Sequence, residues 1–122
     1  MPDSRKLFGT SVEKFAAEHL AKKGFQIIEH QYKSVFGEID LICRDGDEIV
    51  FVEVKARQSS KYGYPEESVT PKKLRHIVRS GLAYLRSKNP NTKWRIDVVA
   101  VEFLPEVSIT HLQAIDISDG VW

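Results

Sequence analysis

Two strand-like segments joined by a tight turn constrain the fold of this chain most. GEIDLICR alternates polar and apolar residues, and EIVFVEVKAR is rich in Val, Ile and Phe. The Asp-Gly dipeptide between them readily supplies the positive φ angles of a hairpin turn. The pattern therefore predicts an antiparallel hairpin whose second strand is buried.

Charged residues interrupt the apolar run of the second strand at Glu53 and Lys55. Because side chains alternate between the two faces of a sheet, either of two hairpin registers puts these charges on the face that carries Glu38 and Asp40. A two-residue loop places Glu38 opposite Glu53, whereas a four-residue loop places Asp40 opposite Glu53. A three-residue loop would separate Asp40 from Glu53.

Carboxylates that face one another in a sheet need a compensating positive charge, because their repulsion and burial are costly. One source is Lys55 with neighbouring Arg side chains, which would make a structural ion cluster. The other is a divalent cation such as Mg²⁺, which favours carboxylate and carbonyl oxygens. A Lys beside such an ion can orient a water or stabilise a charged transition state. The spacing alone leaves both readings open.

The rest of the chain reads as two helices and three further strands. The segment TSVEKFAAEHLAKKG is amphipathic, with Thr10 or Ser11 as its cap and Gly24 as its stop. The second helix has Thr70 as its cap and Pro71 in its first turn. FQIIEHQY precedes the hairpin, and KWRIDVVAVEF and VSITHLQAI follow the second helix. We therefore predict an α/β fold with the element order αβββαββ.

Length and composition describe one soluble globular domain. The 122 residues suit a single core, and the chain is 42% hydrophobic and 29% charged. No apolar run approaches the roughly 18 residues of a membrane span, and the start MPDSRK lacks the apolar stretch of a signal peptide. We therefore expect a cytoplasmic protein with no membrane partner. Its one cysteine, Cys43, cannot form an internal disulfide.

Basic residues concentrate in one part of the chain. Residues 55–95 contain eleven Lys or Arg and two acids, although the whole chain has a net charge of only +1. Such segregation predicts a basic surface that attracts polyanions. The alternative is a solvated helix face with no partner.

Three stretches occur in an order that resembles a known family: FGEIDLICRDGDEIVFVEVKAR, SVTPKKLRHIVRSGLAYL and RIDVVAV. The chain resembles the YraN-like family of small bacterial proteins from about Gly9 to Ile115. That family is assigned to the PD-(D/E)XK, restriction-endonuclease-like superfamily and is similar to archaeal Holliday-junction resolvases. The resemblance implies a mixed central sheet flanked by helices and a site that depends on Mg²⁺ or Mn²⁺.

The resemblance also implies roles for individual residues. The superfamily's Asp falls on Asp40 and its Glu-x-Lys motif on Glu53, Val54 and Lys55, so Asp40, Glu53 and Lys55 are the expected catalytic residues. The expected metal ligands are Asp40, Glu53, the Val54 carbonyl and Glu13, which matches the first-helix Glu of the resolvase-like branch. The residues expected to bind nucleic acid are Arg57, Lys72, Lys73, His76 and Arg79.

Some positions depart from the family's pattern or have two readings. Gln31, Lys33 and Phe36 stand where the family often has Asn, Arg and Gly, which affects DNA contacts from that loop but not the metal site. The tyrosines of KYGYPEES could stack on bases or pack the loop down. Asp97 is either a partner for a neighbouring Arg or a further acid of the site.

Two functions follow from these observations. The first is a metal-dependent endonuclease that hydrolyses DNA phosphodiester bonds, on branched or other repair and recombination intermediates. The second is a nucleic-acid-binding or partner-recruiting protein that keeps the nuclease fold and uses its acids and Lys55 as an ion cluster. We expect nucleic acid, DNA in particular, as the partner, and both functions are compatible with a homodimer.

Overall fold

The computed structural model describes residues 4–57 and 69–117, with side chains from residue 11 onward. The elements are α1 (Ser4–Lys22), β1 (Gln26–Ser34), β2 (Gly37–Asp45), β3 (Glu48–Arg57), α2 (Pro71–Lys88), β4 (Trp94–Glu102) and β5 (Ser108–Leu112). The order αβββαββ and the α/β class are therefore as predicted.

The five strands form one mixed sheet in the spatial order β1-β2-β3-β4-β5. β3 and β4 run parallel, and the other neighbours are antiparallel. Parallel neighbours require a crossover connection, and α2 lies within the one that joins β3 to β4. Alternate side chains of β3 enter two cores: Phe51 packs with α2, and Val52 packs with α1. The helices thus cover opposite faces of the sheet.

Helix α2 begins and packs as its sequence predicts. The backbone N–H of Lys73 donates to Thr70 Oγ1 at 3.2 Å, so Thr70 is the N-cap. Gly81 lies where the helix approaches the sheet most closely, since a Cβ there would come within 2.6 Å of the Phe51 ring. The buried residues of the helix are Leu74, Ile77, Val78, Ser80, Gly81, Tyr84 and Leu85.

Helix α1 begins earlier than the sequence indicated. The expected cap at Thr10 or Ser11 was wrong, because the helix already starts at Ser4. Gly9 does not interrupt it, since a glycine inside a helix costs only about 1 kcal/mol relative to Ala. The predicted stop is confirmed: the helix ends at Lys22, and Gly24 has a φ of 96°.

The β2–β3 hairpin has one of the two predicted registers. Its pairs run from Leu41↔Val52 to Asp45↔Glu48, so Gly46 and Asp47 form the turn. Extending this register by one residue brings Asp40 opposite Glu53, the alternative expected for a four-residue loop. The pairing continues one pair closer to the turn than that loop would allow, since Asp45 and Glu48 are themselves paired.

Neither of the helices that the structure describes is long and apolar enough to cross a membrane. The loop that contains Tyr62 and Tyr64, with its two readings, lies outside the described residues.

Candidate functional site

The carboxylate of Asp40 binds the backbone of the neighbouring strand. Asp40 Oδ2 accepts a hydrogen bond of 2.8 Å from the backbone N–H of Val54. This contact lies just beyond the last paired residues of β2 and β3, Leu41 and Val52. Asp40 is therefore fixed directly to the Glu-x-Lys segment of β3.

Glu53 is a buried carboxylate with incomplete compensation. Its Oε1 lies 3.6 Å from Lys55 Nζ and 3.8 Å from Lys73 Nζ, both long for an ion pair. Its Oε2 is buried and has no hydrogen-bond partner among the residues that the structure describes. A buried polar atom without a partner is costly, and one next to a second acid marks a place where a cation would be stabilised.

The pKa shifts of the two acids also indicate a place where a cation would be stabilised. Burial raises the pKa of Glu53 to about 7, and the negative charge of Asp40 adds to this effect, against the opposing charges of Lys73 and Lys55. Burial also raises the pKa of Asp40, although its hydrogen bond from Val54 opposes the rise. The two lysines thus do not fully compensate the acids, and with a pKa of about 7 Glu53 is partly protonated near neutral pH.

Glu13 approaches this pair from α1. Gln31 Nε2 donates to Glu13 Oε2 at 3.1 Å, and burial followed by the charge of Asp40 raises the pKa of Glu13. Gln31 itself has a φ of 51°, in the left-handed region that Asn adopts more readily than most residues. This kink in β1 places the amide that holds Glu13.

Lys73, which the resemblance predicts to bind nucleic acid, lies beside an acid of the site. Its Nζ is 3.8 Å from Glu53 Oε1. The position of Lys73 depends on where helix α2 begins relative to the end of β3, and this is set by the path of the connecting chain. Residue spacing carries no signal for that path, so the sequence could not identify Lys73 as a neighbour of Glu53.

The other residues expected to bind nucleic acid surround this end of the sheet. Lys72 and Arg79 are exposed on α2, and His76 packs beside Gly37, where a Cβ would lie 3.4 Å from His76 Cβ. Arg57, at the end of β3, has a buried Nη1 without a hydrogen-bond partner in the described part of the chain.

The residues of the site fit a divalent cation with few protein ligands. Within residues 4–57 and 69–117, no three or more His, Cys, Asp or Glu side chains form a group that could hold a metal. Two carboxylates suffice for Mg²⁺, which usually binds through one or two and keeps several waters. Asp40 and the unpartnered oxygen of Glu53 supply this donor set.

Replacing Glu53 by Gln should stabilise the metal-free protein at alkaline pH. The folded-state pKa is raised from 4.5 to about 7, so the folded protein holds this proton more tightly than the unfolded chain does. The resulting stability is fully present below about pH 4.5 and is lost as the pH rises through about 7. Gln mimics the protonated acid, so E53Q should gain on the order of 2–3 kcal/mol over wild type at about pH 8 and nothing at about pH 4.

Chemical denaturation at both pH values, with excess chelator, measures this difference. Glu106→Gln is the matched control, because Glu106 is an exposed acid of the β4–β5 turn. A free energy of unfolding for E53Q that follows wild type across the whole range would contradict the raised pKa.

Comparison with known proteins identifies relatives of this chain. Residues 12–101 match the model of the family described as "Uncharacterised protein family UPF0102". A UPF0102 protein of Syntrophus aciditrophicus (strain SB) is 50% identical over 95 residues, which cover 77% of this chain and 75% of that protein. Others come from Clostridioides difficile (strain 630), 45% identical over 101 residues (82% and 88%), and Chlorobium chlorochromatii (strain CaD3), 39% identical over 123 residues (99% and 95%).

The matched span contains the acids and lysines described above, from Glu13 to Lys73. The alignments with these relatives cover most of this chain and most of each relative. They confirm the family resemblance that is based on the hairpin motif and the second helix. The chain therefore belongs to the bacterial protein family UPF0102, the YraN family.

Proposed function

We propose that this protein is a metal-dependent endonuclease that hydrolyses DNA phosphodiester bonds in the bacterial cytoplasm, on branched or other repair and recombination intermediates. The observation that carries the proposal is the buried Oε2 of Glu53, which has no hydrogen-bond partner within residues 4–57 and 69–117. The same carboxylate lies near a second acid, and its other oxygen lies near two lysines. Resemblance to the PD-(D/E)XK nucleases gives the same residues the same roles.

Asp40, Glu53 and the carbonyl of Val54 would hold Mg²⁺ or Mn²⁺, and Glu13 would add negative charge beside them on the α1 side. When bound, the ion supplies Lewis-acid polarisation of the phosphodiester and a water made more acidic. The Val54 N–H fixes the orientation of the Asp40 carboxylate. A fixed carboxylate needs no reorganisation during the reaction, which is how preorganised sites lower a barrier.

The two lysines divide the remaining work. Lys55 Nζ, next to Glu53, orients the attacking water and stabilises the charge that develops on the phosphate. Lys73 brings a second positive charge from α2 to the same carboxylate, where it attracts the non-bridging phosphate oxygens. Lys72, His76, Arg79 and Arg57 would bind phosphates farther along the strand, and such contacts give affinity without sequence preference.

One observation favours the second function, a nucleic-acid-binding or partner-recruiting protein without activity. Glu53 Oε1 already has Lys55 and Lys73 within 4 Å, as a structural ion cluster would. Against it, apolar residues of similar size would stabilise the fold at a lower cost of desolvation. In the described part of the chain, the cluster also leaves one carboxylate oxygen of Glu53 without a partner.

Calorimetry with Mg²⁺ and Mn²⁺, on wild type and Asp40→Asn, tests the proposal. Wild type should bind at millimolar ion or below, and D40N at least about tenfold more weakly, because it loses one of two anionic ligands. Since Glu53 is partly protonated near neutral pH, binding should release protons there, and the observed heat should vary with the ionisation enthalpy of the buffer. Asp47→Asn, in the exposed β2–β3 turn, is the matched control and should keep wild-type affinity.

Cleavage of labelled single-stranded, duplex and four-way-junction DNA completes the experiment. Cuts made by wild type on any of these substrates, and none by D40N, would establish the nuclease and its structural preference. Absence of both metal binding at millimolar ion and cleavage would reject the nuclease and favour the binding protein.

A further inference from the structure

The turn between β1 and β2 presents two neighbouring apolar side chains to solvent. Val35 is 93% exposed and Phe36 is 43% exposed. Turns normally carry Gly, Pro, Asn, Asp or Ser, and single exposed apolar residues elsewhere need no explanation. A β-branched and an aromatic side chain with this much surface in solvent, together at the tip of a hairpin, indicate a binding partner.

The tip is braced against α2. Ser34 Oγ lies 2.8 Å from Ser80 Oγ and accepts a hydrogen bond of 3.1 Å from the backbone N–H of Phe36. Ser80 is fully buried. Gly37 has a φ of 134°, which favours glycine, and it packs against His76. The two apolar side chains therefore stand on a fixed support.

The same helix connects the tip with the proposed catalytic site. Lys73 of α2 contacts Glu53, and Ser80 of the same helix contacts Ser34 at the tip. With a rise of 1.5 Å per residue, these two points lie about 10 Å apart along the helix. Stacked nucleotides of one strand are spaced by about 3.4 Å, so the tip lies about three nucleotides from a phosphate held at the site.

Positive charge along this line favours nucleic acid as the partner. Lys33 precedes the turn and is exposed, and Lys72 and Arg79 are exposed on α2. A backbone whose phosphates bind these residues would bring its bases to the apolar tip. An apolar protein surface would not compensate the positive charges of these side chains.

We propose that Val35 and Phe36 form a wedge that packs between bases where the stack is already interrupted, so that the protein selects branched or distorted nucleic acid. The inference rests on the proposed function, because it places the wedge relative to the same site. Unstacking an intact step costs a few kcal/mol, whereas contact of a base with an aromatic side chain returns about 1–3 kcal/mol. Insertion of the two side chains is therefore favourable only where the bases are already unstacked.

The test uses Val35→Ser together with Phe36→Ser, which removes the apolar surface without changing charge. Each protein is titrated, with chelator and no divalent ion, onto a four-way junction and onto a duplex that carry 2-aminopurine at matched positions. Wild type should bind the junction about tenfold more tightly and increase the 2-aminopurine fluorescence at the branch. The double variant should lose about tenfold in junction affinity together with the fluorescence change, and keep its duplex affinity.

Val107→Ser is the matched control, because Val107 is 51% exposed in the β4–β5 turn and should have no effect. Equal affinity of wild type for both DNAs, without a fluorescence change, would overturn the wedge while DNA binding stands. Failure to bind either DNA would overturn the wedge, whereas the nuclease is rejected only if metal binding and cleavage are absent as well. A wedge signal without cleavage in Mg²⁺ would uphold the wedge and reject the nuclease. A change in oligomeric state of the double variant would reassign the tip to a contact between copies of the chain.

Discussion

Replacing Lys55 by Met should lower Mg²⁺-dependent DNA cleavage by about 10²–10³-fold, with the fold and DNA binding nearly intact. Removal of one group that stabilises transition-state charge typically costs this much. Lys55 Nζ lies 3.6 Å from Glu53 Oε1 and its side chain is only partly buried, so Met fills the same volume without its charge. Single-turnover cleavage measures the rate, and thermal unfolding and fluorescence anisotropy measure fold and binding.

The matched control for this variant is Lys72→Met, which removes a positive charge from an exposed position of α2. It should weaken binding and its salt dependence slightly without changing the rate at saturating DNA. Equal loss of rate in both variants would show that Lys55 acts only through overall charge. Unfolding of K55M would instead support the structural ion cluster, although Lys73 still faces Glu53 in that variant.

The elements of the fold could be predicted because their signals are local, but the hairpin register could not. Turn chemistry left two registers, and the structure has Asp45 paired with Glu48 around Gly46 and Asp47. Arg95 of β4 donates to Glu48 at 2.7 Å and to Asp45 at 3.0 Å, which supports this pairing from outside the hairpin. A rule that considers only the turn cannot include this residue.

The residues of the candidate site could likewise be predicted only in part. Asp40, Glu53 and Lys55 could be grouped from strand periodicity, because all three belong to one hairpin. The approach of Lys73 from α2 and of Glu13 from α1 depends on helix packing, which residue spacing does not determine.

The linear count of charges also overstated the basic surface. Arg95 belongs to the basic segment of the sequence, yet it lies among Asp45, Glu48 and Asp97. Its charge is compensated within the fold and is not presented to a polyanion. Lys73 likewise faces an acid.

Asp97 is the centre of a buried network on the α1 face of the sheet. It is fully buried and accepts hydrogen bonds from Arg95 Nε at 3.0 Å and from the Ala114 N–H at 2.9 Å. Its Oδ2 lies 2.7 Å from His111 Nε2, and Lys23 Nζ lies 2.7 Å from His111 Nδ1. A charged Lys can only donate a hydrogen bond, so His111 Nδ1 accepts one from Lys23. His111 Nε2 therefore carries the hydrogen and donates to Asp97 Oδ2. The contact with Arg95 agrees with one of the two interpretations made from the sequence, that Asp97 is a partner for a neighbouring Arg. The network also joins β4 to β5 and to the residues that follow β5.

Replacing Asp97 by Ala should therefore destabilise the protein by about 3–5 kcal/mol, the usual cost of removing one partner of a buried ion pair. Although burial would raise the pKa of Asp97, hydrogen bonds from His111 and Arg95 lower it below its ordinary value of 3.8. The stability that the carboxylate contributes is present above about pH 3.8 and is lost as the pH falls through the lower folded-state value. The difference between D97A and wild type should accordingly be full at neutral pH and shrink in acid.

Asp45→Asn separates this effect from the general loss of an Arg95 partner. Asp45 binds the same guanidinium, but its side chain is 42% exposed, so its removal should cost less than about 1 kcal/mol. Urea denaturation of both variants at neutral and acidic pH makes the comparison. Equal losses in D97A and D45N would show that burial does not strengthen the Asp97 contacts.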